Sequence, residues 1–374
     1  MMRPETEAEL ANIISTAERP LCIKGGGTRG VVVDGETLET GALSGVSLYE
    51  PGALTLVAKS GTSVSEIDTL LASEGQRLAF EPTDNRGLLG LSGESTIGGV
   101  VAGNISGPRR VQAGACRDFM LGVRFVTGAG EIVKNGGRVM KNVTGYDLVK
   151  LMSGSFGTLG VLTEVSLKVL PKPETQAVVS VHNLSIEDAQ QAMTVAATSP
   201  FDVTGAAHIP RGESERPVTM IRVEGFEASV AYRSRELTTL LGEFGTVTSE
   251  TDPQIVDASW RAVRDVEAFH DKQGDVWRIS CKPSDAPMLA NKAGAEDLLF
   301  DWGGGLIWVL TKAGSDLRAK LGEFDGHATL IRAEAETFNN LGRFHPEPSG
   351  VAVIASALRR KFDPRGILNT GLMG

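Results

Sequence analysis

Residues Asn142–Glu164 read NVTGYDLVKLMSGSFGTLGVLTE, and this stretch decides how the rest of the chain is interpreted. Two more glycine-dense segments precede it, Lys24-Gly-Gly-Gly-Thr-Arg-Gly30 and Ser95-Thr-Ile-Gly-Gly-Val-Val-Ala-Gly-Asn104. Each lies near a run that reads as a strand. Glycine accepts positive φ and lets the main chain approach a ligand with no Cβ in between. Successive backbone N–H groups in such bends make concavities that bind anions. Three such loops in order point to a large phosphate-bearing cofactor gripped mainly by backbone.

Working outward, Thr6 and Glu9 form a capping box ahead of Leu10, Ile13, Ile14 and Ala17, which predicts a helix leading into a strand at Leu21–Lys24. Strand-like runs follow at Gly45–Tyr49 and Leu54–Lys59, separated by a Pro51-Gly52 turn. Ser63 and Glu66 cap a further helix with Val64, Ile67, Leu70 and Leu71 inward. Leu121–Thr127 and Glu131–Lys134 flank Gly128-Ala-Gly130 as a hairpin. From Val161 to Val169 apolar and polar residues alternate with a period of two, until Pro171 and Pro173 interrupt.

Beyond that point glycine thins. Ala177–His182 and Val218–Val223 read as strands, Ser185–Thr198 and Ser229–Phe244 as helices. Val276–Cys281, Asp285–Leu299, Gly305–Thr311 and Ala328–Ala333 form a second set, which raises the idea of a structural duplication without a residue-level repeat. Val351–Phe362 is amphipathic and ends at Asp363-Pro364. The expected division is therefore 1–172, 173–348 and a C-terminal helix and tail at 349–374.

The chain has 374 residues, enough for two domains with cores of their own. Its 45 glycines exceed the usual ~7% share, and they sit between apolar runs rather than in low-complexity tracts. A net charge of −9 argues against a general nucleic-acid or anionic-membrane surface. Cys22, Cys116 and Cys281 are too scattered for an intrinsic iron–sulfur cluster, and a reducing cytoplasm is the simplest setting. No run approaches the ~18 apolar residues of a membrane span. The five histidines, at 182, 208, 270, 327 and 345, lack HxH or HExxH spacing, so no metal is expected.

The first loop is not a dinucleotide fingerprint: Gly25–Gly30 lacks the G-x-G-x-x-G spacing, and no acidic residue follows about 20 positions later to take a ribose. The three loops together resemble the FAD-binding domain of the vanillyl-alcohol oxidase/PCMH superfamily. Within it, the chain is similar to the FAD-binding E subunits of bacterial glycolate oxidase. The resemblance covers residues ~20–172 well and the C-terminal ~15 residues moderately, with Trp260-Arg-Ala-Val-Arg-Asp265 a weaker match. It implies an α+β fold: a two-subdomain PCMH-type FAD-binding domain, then an antiparallel α+β cap, then a tail returning to the FAD domain. By the same resemblance, Gly25, Gly26, Gly27 and Thr28 form the first pyrophosphate loop, and Pro82 and Thr83 lie along the flavin. Thr96, Gly98 and Gly99 form the second loop, with Asn104 and Gly107 in the turn after it. Gly157 and Val161 meet the ribityl and adenine portions, and Asn369 returns to the flavin.

The departures are informative. The family's GSEGTLG reads Gly154-Ser-Phe-Gly-Thr-Leu-Gly160, with Phe156 in place of a carboxylate, and its LNPG reads Leu368-Asn-Thr-Gly371. The usual Gly-His of covalent flavin attachment is missing, so FAD is expected to be non-covalent; Cys116 reads better as a packed small residue than as a flavin-linking thiol. In the cap, Gly326-His327-Ala328 begins like the His-rich element of catalytic relatives but continues Thr-Leu-Ile-Arg332. A structural strand-end role suits His327 better than that of a base. Arg332, Arg343 and His345 are the candidates for handling a 2-hydroxy acid, and for each a solvated charge on a loop or strand end stays open. The resemblance implies the FAD-binding subunit of a glycolate dehydrogenase complex, working with a larger flavoprotein subunit and an iron–sulfur subunit. It would be cytoplasmic, with any membrane association supplied by those partners. Two alternatives stand beside it: a stand-alone FAD-dependent dehydrogenase of the D-lactate type, and a non-catalytic flavin-carrying relay or assembly subunit.

Overall fold

The computed structural model describes residues 1–138, 145–212 and 216–373, so Asn142–Thr144 at the head of the opening stretch lie outside the described residues. The chain forms two compact units. One comprises Met1–Ser106, Gly114–Lys172 and Pro346–Gly374; the other comprises Gly107–Ala113 and Pro173–His345.

In the first unit, the helix Glu7–Thr16 starts where the capping residues place it. The Thr6 hydroxyl accepts from the Glu9 amide at 3.1 Å, while the Glu9 carboxylate reaches back to the Glu5 amide at 2.9 Å. Its Leu10 and Ile14 are fully buried against Leu21, Leu38, Val126, Val161 and Leu368. Leu21–Lys24 pairs in parallel with Glu36–Glu39. That second strand escapes periodicity, because ETLE buries only Leu38. Beside this pair stands a five-stranded antiparallel sheet, in the order Val46–Glu50, Thr55–Lys59, Val161–Lys168, Met120–Val126, Ile132–Gly136. The expected hairpin joins its last two strands. Along Val161–Lys168 the anticipated outward residues Leu162 and Ser166 are buried too, Leu162 because it lines the cavity described below.

The second unit is built on one eight-stranded antiparallel sheet. Its order is Val247–Glu250, Thr175–His182, Val218–Gly225, Gly205–Ile209, Asp297–Asp301, Leu306–Thr311, Asp275–Cys281, Gly326–Arg332. Each half runs strand–helix–strand–strand–helix–strand, and within each half the four strands lie in spatial order 4-1-3-2. The halves meet edge to edge at their second strands, through the pair His208–Phe300. The sheet therefore carries the duplicated topology for which the sequence offers no repeat. Four helices, Ile186–Thr198, Glu227–Leu241, Ala286–Ala293 and Leu317–Leu321, supply the apolar residues that pack on Val179, Val181, Ile221, Trp277, Ile279 and Val309.

The segment read as one element from Asp285 to Leu299 is two. Gly294, at φ +56°, ends the helix Ala286–Ala293, and Asp297–Asp301 is a strand. The helix Pro253–Asp265 joins the two halves and buries Trp260, whose ring carries the Arg222 guanidinium at 4.4 Å.

Gly107–Ala113 is fixed to this sheet by charge. Arg109 Nε and Nη2 donate to the two Glu224 carboxylate oxygens at 2.8 and 2.7 Å, and Arg233 Nη2 donates to the Glu224 carbonyl at 2.7 Å. Such a bidentate fork is the strongest form of an ion pair. The Glu224 side chain is only 3% exposed, and removing Arg109 takes away its bidentate partner while Arg222 Nε stays 3.9 Å from the carboxylate. Arg109→Met is therefore expected to destabilise the second unit by about 1.5–3 kcal/mol, the worth of hydrogen bonds to a charged group. Chemical denaturation followed by tryptophan fluorescence measures it, and a loss under ~1 kcal/mol would mean the pair is solvated.

Candidate functional site

A cavity opens within the first unit, lined by glycine-rich backbone. Its wall includes Gly25, Gly26, Gly27, Thr28, Thr96, Gly98, Gly99, Gly157, Val161 and Asn369, ten of the residues expected to hold the cofactor. They arrive from four separated segments. The loop after the strand Leu21–Lys24 gives the first four, and the turn into the helix Ile97–Ala102 gives the next three. The turn ahead of the strand Val161–Lys168 and the C-terminal tail give the rest.

The two leading loops contribute differently. Among the described residues the amides of Gly26, Gly27 and Thr28 donate to nothing, which leaves a run of N–H groups beside the cavity. In the second loop the amides are already used: Ile97 donates to Thr62 O at 2.9 Å, Gly98 to Ser60 O at 2.7 Å and Gly99 to the Thr96 hydroxyl at 3.2 Å. Its glycines serve close approach instead. A Cβ on Gly98 would sit 2.6 Å from Ser60 Cβ, and one on Gly26 only 1.6 Å from the Glu94 carbonyl oxygen. The first loop thus offers donors and the second offers proximity.

Four expected residues lie elsewhere or act indirectly. Thr83 is buried next to the cavity wall, and its carbonyl accepts from Arg29 Nη1 at 2.8 Å. Pro82 does not line the cavity. Asn104, at φ +48°, uses its side-chain oxygen to accept from the Arg117 amide at 3.0 Å. Gly107 belongs to the second unit, where its carbonyl accepts from Trp302 Nε1 at 3.0 Å.

Asn369 closes the site. Its Oδ1 accepts from the Ile23 amide at 2.7 Å, its Nδ2 donates to the Phe156 carbonyl at 2.7 Å, and its own amide donates to Leu21 O at 3.0 Å. One side chain therefore holds the first loop, the third loop and the tail together. It sits at φ +43°, in the left-handed region that asparagine tolerates better than most residues.

Sequence reasoning missed several wall residues, among them Arg29, Ser60 and Phe156. Arg29 lies in the first loop and ties it to the second by donating to the Ser95 hydroxyl at 3.0 Å. Its charge, next to open amides, was the one signal that could have found it. Ser60 Oγ is buried on the wall with no hydrogen-bond partner among the described residues, as a group awaiting a ligand would be. Phe156 adopts φ +49° and lines the cavity. Open amides, an orphaned hydroxyl and an arginine beside them fit the pyrophosphate of a dinucleotide. Among the described residues no histidine, cysteine or tyrosine lines the cavity. Cys116 is fully buried, and burial pushes its thiol well above the usual range, with Arg29 opposing and Asp118 adding to the effect.

The three cap candidates do not converge. Arg332 spends its guanidinium on backbone, donating to the carbonyls of Phe269, Lys272 and Gly274 at 2.9, 2.6 and 3.3 Å. Arg343 lies over the Phe338 ring at 4.5 Å and donates to Leu330 O, and burial brings its guanidinium down to about 10. His345 accepts from the Ala328 amide at 3.3 Å and meets Phe324 edge-on. Each is explained by local structure.

Comparison with known proteins gives a family and a fold. A sequence profile described as "FAD binding domain" matches residues 1–136. Glycolate oxidase subunit GlcE of Escherichia coli (strain K12) is 35% identical over 98% of this chain and 95% of its own. Glycolate oxidase subunit GlcD of Bacillus subtilis (strain 168) is 34% identical over 41% of this chain and 30% of its own. Among solved structures, an alkyldihydroxyacetonephosphate synthase superposes with a TM-score of 0.72 at 16% identity, covering 99% of this chain and 76% of its own. The cofactor of the first unit is FAD. Gly26→Ala is expected to yield folded protein without bound flavin, whereas Gly52→Ala, where a Cβ meets nothing within 4 Å, keeps it. The visible absorption of the purified variants decides between them.

Proposed function

The chain belongs to the family of glycolate oxidase subunit GlcE, and we propose that it is the FAD-holding subunit of a complex oxidising glycolate, or a close 2-hydroxy acid, to the 2-oxo acid. The observation that carries the reading is similarity along nearly the whole of both chains, joined to a cavity whose open amides suit a diphosphate. Bound FAD supplies the hydride acceptor; the protein's work is to bind it, orient it and keep competing reactions out. The amides of Gly26–Thr28 and the Ser60 hydroxyl would take phosphate and ribityl oxygens, with Arg29 providing positive charge. Asn369 would fix the third loop against them.

Electrons are proposed to leave through partner subunits, one a larger flavoprotein and one carrying iron–sulfur clusters. Among the described residues no group of three or more His, Cys, Asp or Glu could hold a metal ion. The setting proposed is the cytoplasm. Among the described residues no helix is long and apolar enough to cross a membrane. A stand-alone D-lactate-type dehydrogenase has narrower support: D-lactate dehydrogenase of Anaerostipes hadrus is 44% identical, but over 25% of this chain. A flavin carrier that leaves the hydride step to its partner gains weight from the backbone commitments of Arg332.

Anaerobic addition of glycolate to the flavin-loaded chain, alone and within the reconstituted complex, tests the proposal. Bleaching of this subunit's flavin band in the complex is the expected result. Bleaching of the partner's flavin only would make this chain a carrier, and turnover of D-lactate by the chain alone would favour the stand-alone enzyme.

A further inference from the structure

The sheet of the second unit has one face covered by the four helices named above. On its other face, Arg278 stands in line with Trp308 on one neighbouring strand and Thr329 on the other, and Ser280 stands in line with His327. Residues directly opposite on paired strands share a face, so these side chains lie together. Trp277 and Ile279, the alternate residues of the same strand, point into the helix-covered core. The Arg278 guanidinium lies 5.0 Å from the centre of the Trp302 ring, and the Arg110 guanidinium lies 4.8 Å from the same centre. Trp302 is 8% exposed and anchored at both ends: its indole donates to Gly107 O at 3.0 Å and its amide to Asp301 Oδ1 at 2.7 Å. It holds φ +54° to do so, a strained conformation that clusters at ligand sites.

Two cations on one indole repel each other. A guanidinium carries five donors and is retained in partly buried positions when it has a planar anion to grip. Arg278 makes no hydrogen bond and no ion pair with any described residue; its contacts are the indole and the field of Asp301 and Arg110. Burial, with Arg110 adding and Asp301 opposing, brings its guanidinium down to about 10, so it remains charged at neutral pH. His327 is open to solvent at its edge. Partial burial of its ring, followed by Arg278, His345 and Arg110, holds its imidazole below the usual range and so favours the neutral form.

We propose that Arg278 and Arg110, converging on Trp302, form a binding site for a small carboxylate. The indole gives its short carbon chain an apolar floor, and Ser280 and His327 stand ready to meet a hydroxyl. The identification of that carboxylate with a 2-hydroxy acid rests on the function proposed above; the anion site itself rests on the second unit alone.

The test is calorimetric titration of the full-length, flavin-loaded chain with oxalate, a carboxylate it cannot oxidise, and with glycolate. Arg278→Gln is expected to weaken both by about tenfold or more, the worth of one charge-assisted hydrogen bond. Arg278→Lys should recover part of the loss, and the exposed Arg235→Gln should change nothing. Arg110→Gln, outside the sheet, gives an independent arm if Arg278→Gln fails to fold. Equal oxalate affinity in wild type and both glutamine variants, or no oxalate binding by wild type, overturns the site. Oxalate binding that depends on Arg278, without flavin reduction by glycolate in any preparation, leaves the site standing and removes the dehydrogenase reading.

Discussion

The cofactor cavity depends on one asparagine. Three chain segments meet at Asn369, each held through a backbone group bonded to its side chain or its own amide. Loops rich in glycine have much freedom to lose, and ordering them costs free energy that scattered apolar contacts do not return. A short amide side chain that accepts from one loop and donates to another offsets part of that cost at the point where the loops must be exact neighbours. The ligand then meets a wall already in place, which is where binding free energy is kept rather than spent on ordering.

The glycine loops were legible because their requirement is steric and local. Gly26 and Gly98 are crowded by backbone from another segment, and no other residue type fits such approaches. What could not be read was the division of labour, since a glycine looks the same in sequence whether its amide is free, as at Gly26, or bonded, as at Gly98. Ser60 and Phe156 stayed hidden for a related reason. They are single residues with no spacing, and only the folded wall gives them meaning. Asn104 and Gly107 were placed by resemblance in the turn after the second loop; Asn104 bonds the Arg117 amide there, and Gly107 already belongs to the next unit.

In the second unit, alternation announced most strands, but strand order and the doubled strand–helix pattern emerge only from pairing. The strand Gly205–Ile209 carries small residues and was passed over, although it forms the seam between the halves. Arginines near strand ends were ambiguous in principle. The same guanidinium can bind a substrate or tie down carbonyls, and Arg332 does the second while Arg278, in mid-strand, bonds no carbonyl among the described residues. Nor did any periodicity separate Gly107–Ala113 from its surroundings; the Arg109–Glu224 pair spans more than a hundred residues of sequence.

The long reach of Asn369 also sets a schedule. Its bond to Ile23 joins residues 346 apart, so the first loop emerges from the ribosome long before its closing partner has been translated. Until then the early-made half of the nucleotide cradle stays unlatched, and a flavin that met it would find walls still loose. On the proposed reading, a complete nucleotide cradle exists only after residue 369 has been synthesised.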